Sequence, residues 1–437
     1  MSPSSATPST RRPSVLIVSF YFPPSGMGGV QRALKFARYL PEFGWDVTVI
    51  APWTSLSHQS DPSLLTELPD SMRIERVWAF DPALVFRRRG FVGGAGSIRE
   101  ASSWARRVRE WLRWPDDKIL FTAAALRRAR RLHNERPFDV VWTTSPPPSM
   151  HRVGLALAPR IPWIADFRDP WLARDDDWGP THWHARWAQR LRQRIVQTAD
   201  RVVAVSIPMA AALDRDGARH STEVIYNGYD EADFVSAARP RSWNGPFTIL
   251  CPGTLSPHSD PRPIFAAVCE LRARCPELDL QIRHVGTALG LNPTAIAADY
   301  GLASIFTDLG YREHSASVDG LLEADIVAIS VSELAGFATN IPGRLFEALR
   351  SQRPLILFGP RDGAVGTLVG RLPGCWVVPH ADVEAGAEAL RAVLRHPRGV
   401  PARTRESIAV FDRRAQTRHL ASLFQSVIAA RSREAWT

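Results

Sequence analysis

The sequence gives its cysteines no partners. Cys251, Cys269, Cys275 and Cys375 form no C-x-x-C pair, and no histidines stand beside them at ligand spacing. That pattern excludes a disulfide framework and a zinc site, and reduced, buried thiols of a cytosolic protein are expected. Long apolar runs are missing as well, and no stretch approaches the roughly 20 residues of a membrane-spanning helix. The run Val15–Phe22 is short, lacks a small-residue cleavage site and leads straight into Pro23-Pro24-Ser25-Gly26. A first buried strand explains it better than a signal peptide does. Two common nucleotide fingerprints, G-x-G-x-x-G and the P-loop with its Lys-Ser/Thr, are also absent.

What remains is an ordinary globular composition on a long chain. The 437 residues are 45% hydrophobic and 22% charged, which suits two domains of average size and rules out a disordered protein. Residues 1–13, rich in Ser, Pro and Thr, are expected to be a disordered tail. The net charge of +10 is unevenly spread: Leu84 to Arg131 carries thirteen Lys/Arg against four Asp/Glu. An excess so concentrated implies an anionic partner, either a membrane surface or a phosphorylated ligand.

Along the chain, buried strands alternate with helical patterns. Val15–Phe20, Asp46–Ile50, Asp139–Thr143, Pro162–Ala165 and Arg201–Val205 read as strands of a first parallel sheet. The rhythm pauses after Asn227-Gly228, and Pro240, Asn244, Gly245 and Pro246 mark a linker. It restarts with Phe247–Cys251, Leu280–Val285, Ile305–Leu309, Ile326–Ile329, Leu355–Phe358 and Cys375–Val378. The expected fold is therefore α/β, with two Rossmann-like parallel-sheet domains facing a central cleft. Residues 14–238 form the first domain, with a basic insertion at about 84–118. Residues 246–411 form the second, and 412–437 a closing helix able to pack on either domain. Ligands of such sheets bind beyond the carboxyl ends of the strands.

Several segments could carry chemistry. Gly26–Gly29 joins a strand end to a helix start, where glycines admit close approach of a ligand and the helix terminus favours an anion. A tight turn is the plainer reading. Asn340 to Leu349 places Pro342 at a first helical turn, with Glu347 one turn in and Arg344 nearby. A carboxylate there can accept two ribose hydroxyls, while free backbone N–H groups and an arginine hold a diphosphate. Asp166-Phe-Arg168-Asp169 follows a buried strand: either carboxylate suits acceptor hydroxyls, Arg168 suits a phosphate, and an internal ion pair is the alternative. Asp175-Asp176-Asp177 suggests a metal, yet a solvated loop explains it better. From Ile98 to Trp114 one helical face carries Trp104, Val108, Trp111 and Leu112 amid arginines. This suits either an anionic membrane surface or packing onto the parent domain. No nucleic-acid-binding module accompanies the arginines.

The order of these pieces resembles the GT-B-fold glycosyltransferases of family 4 over nearly the whole chain after Arg12. Ser19 to Arg32 and Phe43 to Ile50 look like that family's first βαβ unit. Ala199 to Ser206 and Val224 to Asp230 resemble its domain-closing segment. Leu309 to Arg312, Leu322 to Val327 and Pro342 to Leu349 resemble its donor domain. The resemblance implies a nucleotide-sugar donor, a saccharide or lipid-linked acceptor, retention of anomeric configuration and no required metal or other cofactor. It implies that Glu347 is the second glutamate of the E-x7-E motif and binds the donor ribose. Gly343, Arg344 and Leu345 would lie along the donor phosphates, and Tyr311 and Arg312, after Gly310, would line the base. Gly253 and Gly286 would face the cleft at strand ends, and Gly28 and Gly29 would approach the transferred sugar or the acceptor.

The chain departs from the family pattern in two places. The first glutamate of E-x7-E falls at Thr339, or at Ala335 when aligned on Gly336-Phe337, and Glu333 is the nearest acid. Thr254 stands where the family has an arginine, leaving Arg262 as the substitute phosphate cation. A peripheral enzyme of polysaccharide or glycolipid assembly is expected. The alternatives are an inactive scaffold on the same fold and a nucleotide-sugar epimerase.

Overall fold

The computed structural model describes residues 11–26, 28–53, 60–70, 72–78, 116, 118–171, 181–234, 245–395 and 403–434. Most of the predicted tail, the Arg/Trp face Ile98–Trp114 and the run Asp175–Asp177 lie outside these residues.

The first sheet is built from β1 (Ser14–Val18), β2 (Asp46–Pro52), β3 (Arg73–Val77), β4 (Val140–Ser145), β5 (Trp163–Phe167), β6 (Arg201–Ala204) and β7 (Glu223–Val224). The second holds β8 (Phe247–Pro252), β9 (Leu280–Val285), β10 (Phe306–Asp308), β11 (Ile326–Ser330), β12 (Leu355–Phe358) and β13 (Cys375–Val378). Their spatial orders are β3-β2-β1-β4-β5-β6-β7 and β10-β9-β8-β11-β12-β13. All the pairings are parallel, as in Val15 against Val47 on one side and Val140 on the other.

Parallel strands need helical crossovers on both faces, and this explains the unbroken apolar runs. In β1, Leu16 and Val18 pack toward one layer with Phe121, Met150 and Ile195. Val15 and Ile17 pack toward the other, with Leu34, Phe36 and Trp142. The helices of the first half are α1 (Val30–Tyr39), α2 (Ile119–Glu135), α3 (His151–Leu157), α4 (His182–Thr198) and α5 (Ile207–Arg215). Those of the second are α6 (Arg262–Arg274), α7 (Pro293–Asp299), α8 (His314–Glu323), α9 (Arg344–Arg350), α10 (Ala364–Val369) and α11 (Val383–Arg395). Two more, α12 (Arg405–Ile408) and α13 (Arg413–Glu434), end the chain.

The last helix, α13, returns to the first domain. Its Leu420, Phe424 and Val427 are buried among Leu34, Trp45 and Val47, and Phe424 meets Trp45 edge to face at 5.1 Å. Each such side chain contributes about 1.5–3 kcal/mol as an upper figure. The chain therefore crosses between the domains twice, and the crossings run side by side. Tyr229 N–H donates to the Phe411 carbonyl at 3.0 Å, and Arg413 N–H to the Tyr229 carbonyl at 2.9 Å.

Candidate active site in the interdomain cleft

Strand order reverses between β1 and β4 in one sheet and between β8 and β11 in the other, so two crevices open at strand carboxyl ends. They share one cavity of about 540 Å³, lined from both domains, a volume typical of small-molecule sites.

The C-terminal wall is the head of α9. Leu345, Phe346, Ala348 and Leu349 are fully buried in the core behind it. Helical spacing then turns Arg344 and Glu347, three residues apart, toward the cavity, which both line. Arg344 Nη1 donates to the Thr254 carbonyl at 2.8 Å, and Nη2 to Ser259 Oγ and to the Ser330 carbonyl at 3.3 Å. One guanidinium thus ties the loop after β8 to the end of β11. Its path runs over Gly253 (φ +87°), where a Cβ would stand 2.4 Å from Arg344 Cδ. Burial pushes the Arg344 pKa down to about 10. That marks a desolvated cation, and such a charge acts strongly on a nearby anion.

The N-terminal wall holds Gly28, Gly29, Arg168 and Asp169. Arg168 Nη1 donates to the Gly29 carbonyl, and a Cβ at position 29 would come within 2.5 Å of Arg168 Nη2. A side chain at position 29 would displace this guanidinium.

Charged groups from both domains meet at the floor. His314, first residue of α8, approaches Asp233 Oδ2 with Nε2 at 3.0 Å and Glu347 Oε1 at 3.9 Å. Its backbone N–H donates to Asp61 Oδ2 at 3.2 Å. Burial lowers the imidazole pKa, but Asp233 and Glu347 outweigh it and raise the value to about 9, so the ring is charged at neutral pH. Burial raises the Glu347 pKa, against the pull of His314. The carboxylates Glu67, Asp230 and Asp233 stand close enough to hold a cation, and Lys35 Nζ fills that role at 2.6, 2.8 and 2.7 Å. Tyr311 reaches across to the Gly26 carbonyl at 3.4 Å, and Ser206 Oγ donates to the Thr339 carbonyl at 2.7 Å.

The cavity brings together Gly28, Gly29, Arg168, Asp169, Thr254, Tyr311, Arg312, Gly343, Arg344 and Glu347. Five expected residues sit elsewhere. Asp166 is fully buried under the cleft, clamped by Arg32 at 2.6 Å and by Thr144 Oγ1 at 2.7 Å, so it has no lone pair to offer a sugar. Arg262 opens α6 and pairs with Asp260 on the outside of the loop. Leu345 faces the core. Gly253 and Gly286 lie beneath the lining: a Cβ on Gly286 would stand 2.0 Å from the Gly253 carbonyl oxygen. Glu333, the nearest acid, does not line the cavity; its carboxylate accepts the His380 backbone N–H at 2.9 Å. Sequence reasoning missed His314, Asp61, Asp233 and Arg413. Only the approach of the second domain gives the first three their role.

Two facing parallel-sheet domains with a ligand-sized cleft between their strand ends define the GT-B fold. Residues 27–233, within the first domain, match the family model described as Glycosyltransferase Family 4, and the chain has the GT-B fold. No curated protein matches the sequence. Solved structures match over nearly their whole length. Sucrose-phosphate synthase from Thermosynechococcus elongatus superposes with a TM-score of 0.65 at 16% identity, covering 96% of this chain and 100% of the other. An α,α-trehalose-phosphate synthase (UDP-forming) from Burkholderia vietnamiensis gives 0.63 at 12%, with 96% and 100% covered. A protein described as a UDP-N-acetylglucosamine 2-epimerase from Listeria monocytogenes gives 0.54 at 11%, with 95% and 96% covered. At such identities the likeness is one of fold. Among the described residues no helix is long and apolar enough to cross a membrane.

Proposed function

We propose that the chain moves a sugar, with retention, from a nucleotide-sugar bound by the C-terminal wall to a saccharide or lipid-linked acceptor on the N-terminal wall. The single observation that carries this reading is that Arg344 and Glu347 share the cavity-lining face of α9, opposite Arg168 and Gly29. In this reading Glu347 accepts the ribose hydroxyls. Arg344 lends positive charge to the departing diphosphate, the point at which electrostatic stabilisation matters most. No metal is required in this scheme. Tyr311 and Arg312 line the same cavity, and in this reading they flank the base. The donor could be a uridine or a guanosine diphosphate sugar.

The pathway we infer from the family resemblance is cell-surface polysaccharide or glycolipid assembly, and the basic Arg/Trp stretch of the sequence supports work at the inner membrane face. A second reading, a donor-binding scaffold without turnover, is favoured by the absence of a carboxylate at Thr339, whose carbonyl is held by Ser206. Incubation with a panel of nucleotide-sugars, with and without membrane extract, separates the two. Release of nucleoside diphosphate supports transfer. Binding without release supports the scaffold, and neither binding nor release overturns both.

A further inference from the structure

Arg413 is the least explained charge in the cleft. It begins α13, the helix that packs on the first domain, and it lines the cavity while only 3% exposed. No carboxylate pairs with it among the described residues. Its one side-chain hydrogen bond there is from Nη1 to Gln416 Oε1, at 3.4 Å. Gln416 is itself engaged, donating through Nε2 to the carbonyls of Asn227 and Val410 at 3.2 and 3.3 Å. Arg168, 6% exposed, lines the same cavity and spends one donor on the Gly29 carbonyl. Most donors of both guanidiniums are therefore left for the cavity.

Burying a charge without a partner is unfavourable, and such groups are normally paired. The surroundings of Arg413 disfavour its charge. Burial and the neighbouring Arg32 and Arg168 push its pKa down to about 9, despite Glu347 and Asp230. A cluster of this kind is stable only if something else completes it, and an anion in the cavity would do so. A single carboxylate would use few of the available donors, whereas a phosphate presents oxygens in several directions.

We propose that Arg168 and Arg413 form an anion subsite for a phosphate or diphosphate carried by the acceptor, across the cleft from the donor phosphates at Arg344. This rests on the transferase reading above. It adds that the acceptor is itself phosphorylated, either a soluble sugar phosphate or a lipid-linked diphosphate sugar.

The test titrates inorganic pyrophosphate into protein whose donor site is saturated with nucleoside diphosphate. Binding should persist, and R413Q and R168Q should each weaken it about tenfold or more. R413Q should also unfold at an equal or higher temperature, because it removes an unpaired buried charge. A merely structural arginine would lower that temperature. Pyrophosphate that only competes with the nucleotide, or that binds R413Q as it binds the parent protein, overturns the subsite. If no nucleoside diphosphate binds at all, the transferase reading fails, while the same titration on free protein still decides the subsite. In turnover, R413Q should raise the acceptor KM about tenfold and leave the donor KM unchanged. A soluble sugar phosphate and a polyprenyl diphosphate sugar in neutral vesicles distinguish the two sources. Equal use of the dephosphorylated sugar contradicts the proposal.

Discussion

Raising the pH from about 6 to about 10 should loosen the contact between the domains, and His314 sets the size of the effect. Its folded-state pKa of about 9 stands above the ordinary 6.5 because Asp233 and Glu347 outweigh the burial that lowers it. A raised value means that the stability it adds is fully present below about pH 6.5 and is lost as pH rises through about 9. The difference of about 2.5 pH units corresponds to about 3 kcal/mol. Other groups titrate too, so the useful quantity is the difference between the parent protein and H314Q. Urea unfolding at several pH values would measure it. The parent should exceed H314Q by about 3 kcal/mol near pH 6, with the gap closing toward zero by about pH 10. A gap that is constant with pH would show that the imidazolium does not hold the domains through Asp233, and the reasoning would fail.

Two substitutions test the support beneath the cleft. Asp166→Asn should lower stability by about 3–5 kcal/mol, because it breaks a buried pair and strands Arg32. A raised acceptor KM at unchanged stability would mean instead that Asp166 reaches the substrate. Gly253→Ala should cost about 1–3 kcal/mol for its positive φ, and it should weaken nucleotide binding through the displaced Arg344. Denaturation and binding curves taken together would detect both effects, and an undisturbed Arg344 would leave binding intact.

The sheets were legible from sequence because parallel strands covered on both faces must be apolar throughout, as Val15–Val18 and Ile326–Ile329 are. The edge strand Arg73–Val77 escaped notice because none of its residues is fully buried and three of the five are charged. The two-residue Glu223–Val224 is too short to leave a pattern. Within the site, the α9 head was readable only in part: Arg344 and Glu347 line the cavity, whereas Leu345, expected along the donor phosphates, is turned by helical spacing into the core. Asp166 misled because strand-end position alone cannot say whether a carboxylate points up into the cleft or down onto a buried arginine; here Arg32, 134 residues away, claims it. Arg262 misled for the opposite reason, since its own loop supplies Asp260 two residues earlier. Arg413 and His314 could not be found from local pattern. One comes from a terminal helix that returns to the first domain, and the other acquires Asp233 across the interdomain gap.

The central claim is that a nucleoside diphosphate lies along α9 with its ribose on Glu347. The most direct test is a pair of titrations on the parent protein and E347Q, one with nucleoside diphosphate and one with inorganic pyrophosphate. The account predicts that E347Q binds the nucleotide about tenfold more weakly, through the lost charge-assisted hydrogen bonds, and binds pyrophosphate unchanged. Nucleotide binding that is identical in the two proteins would contradict it.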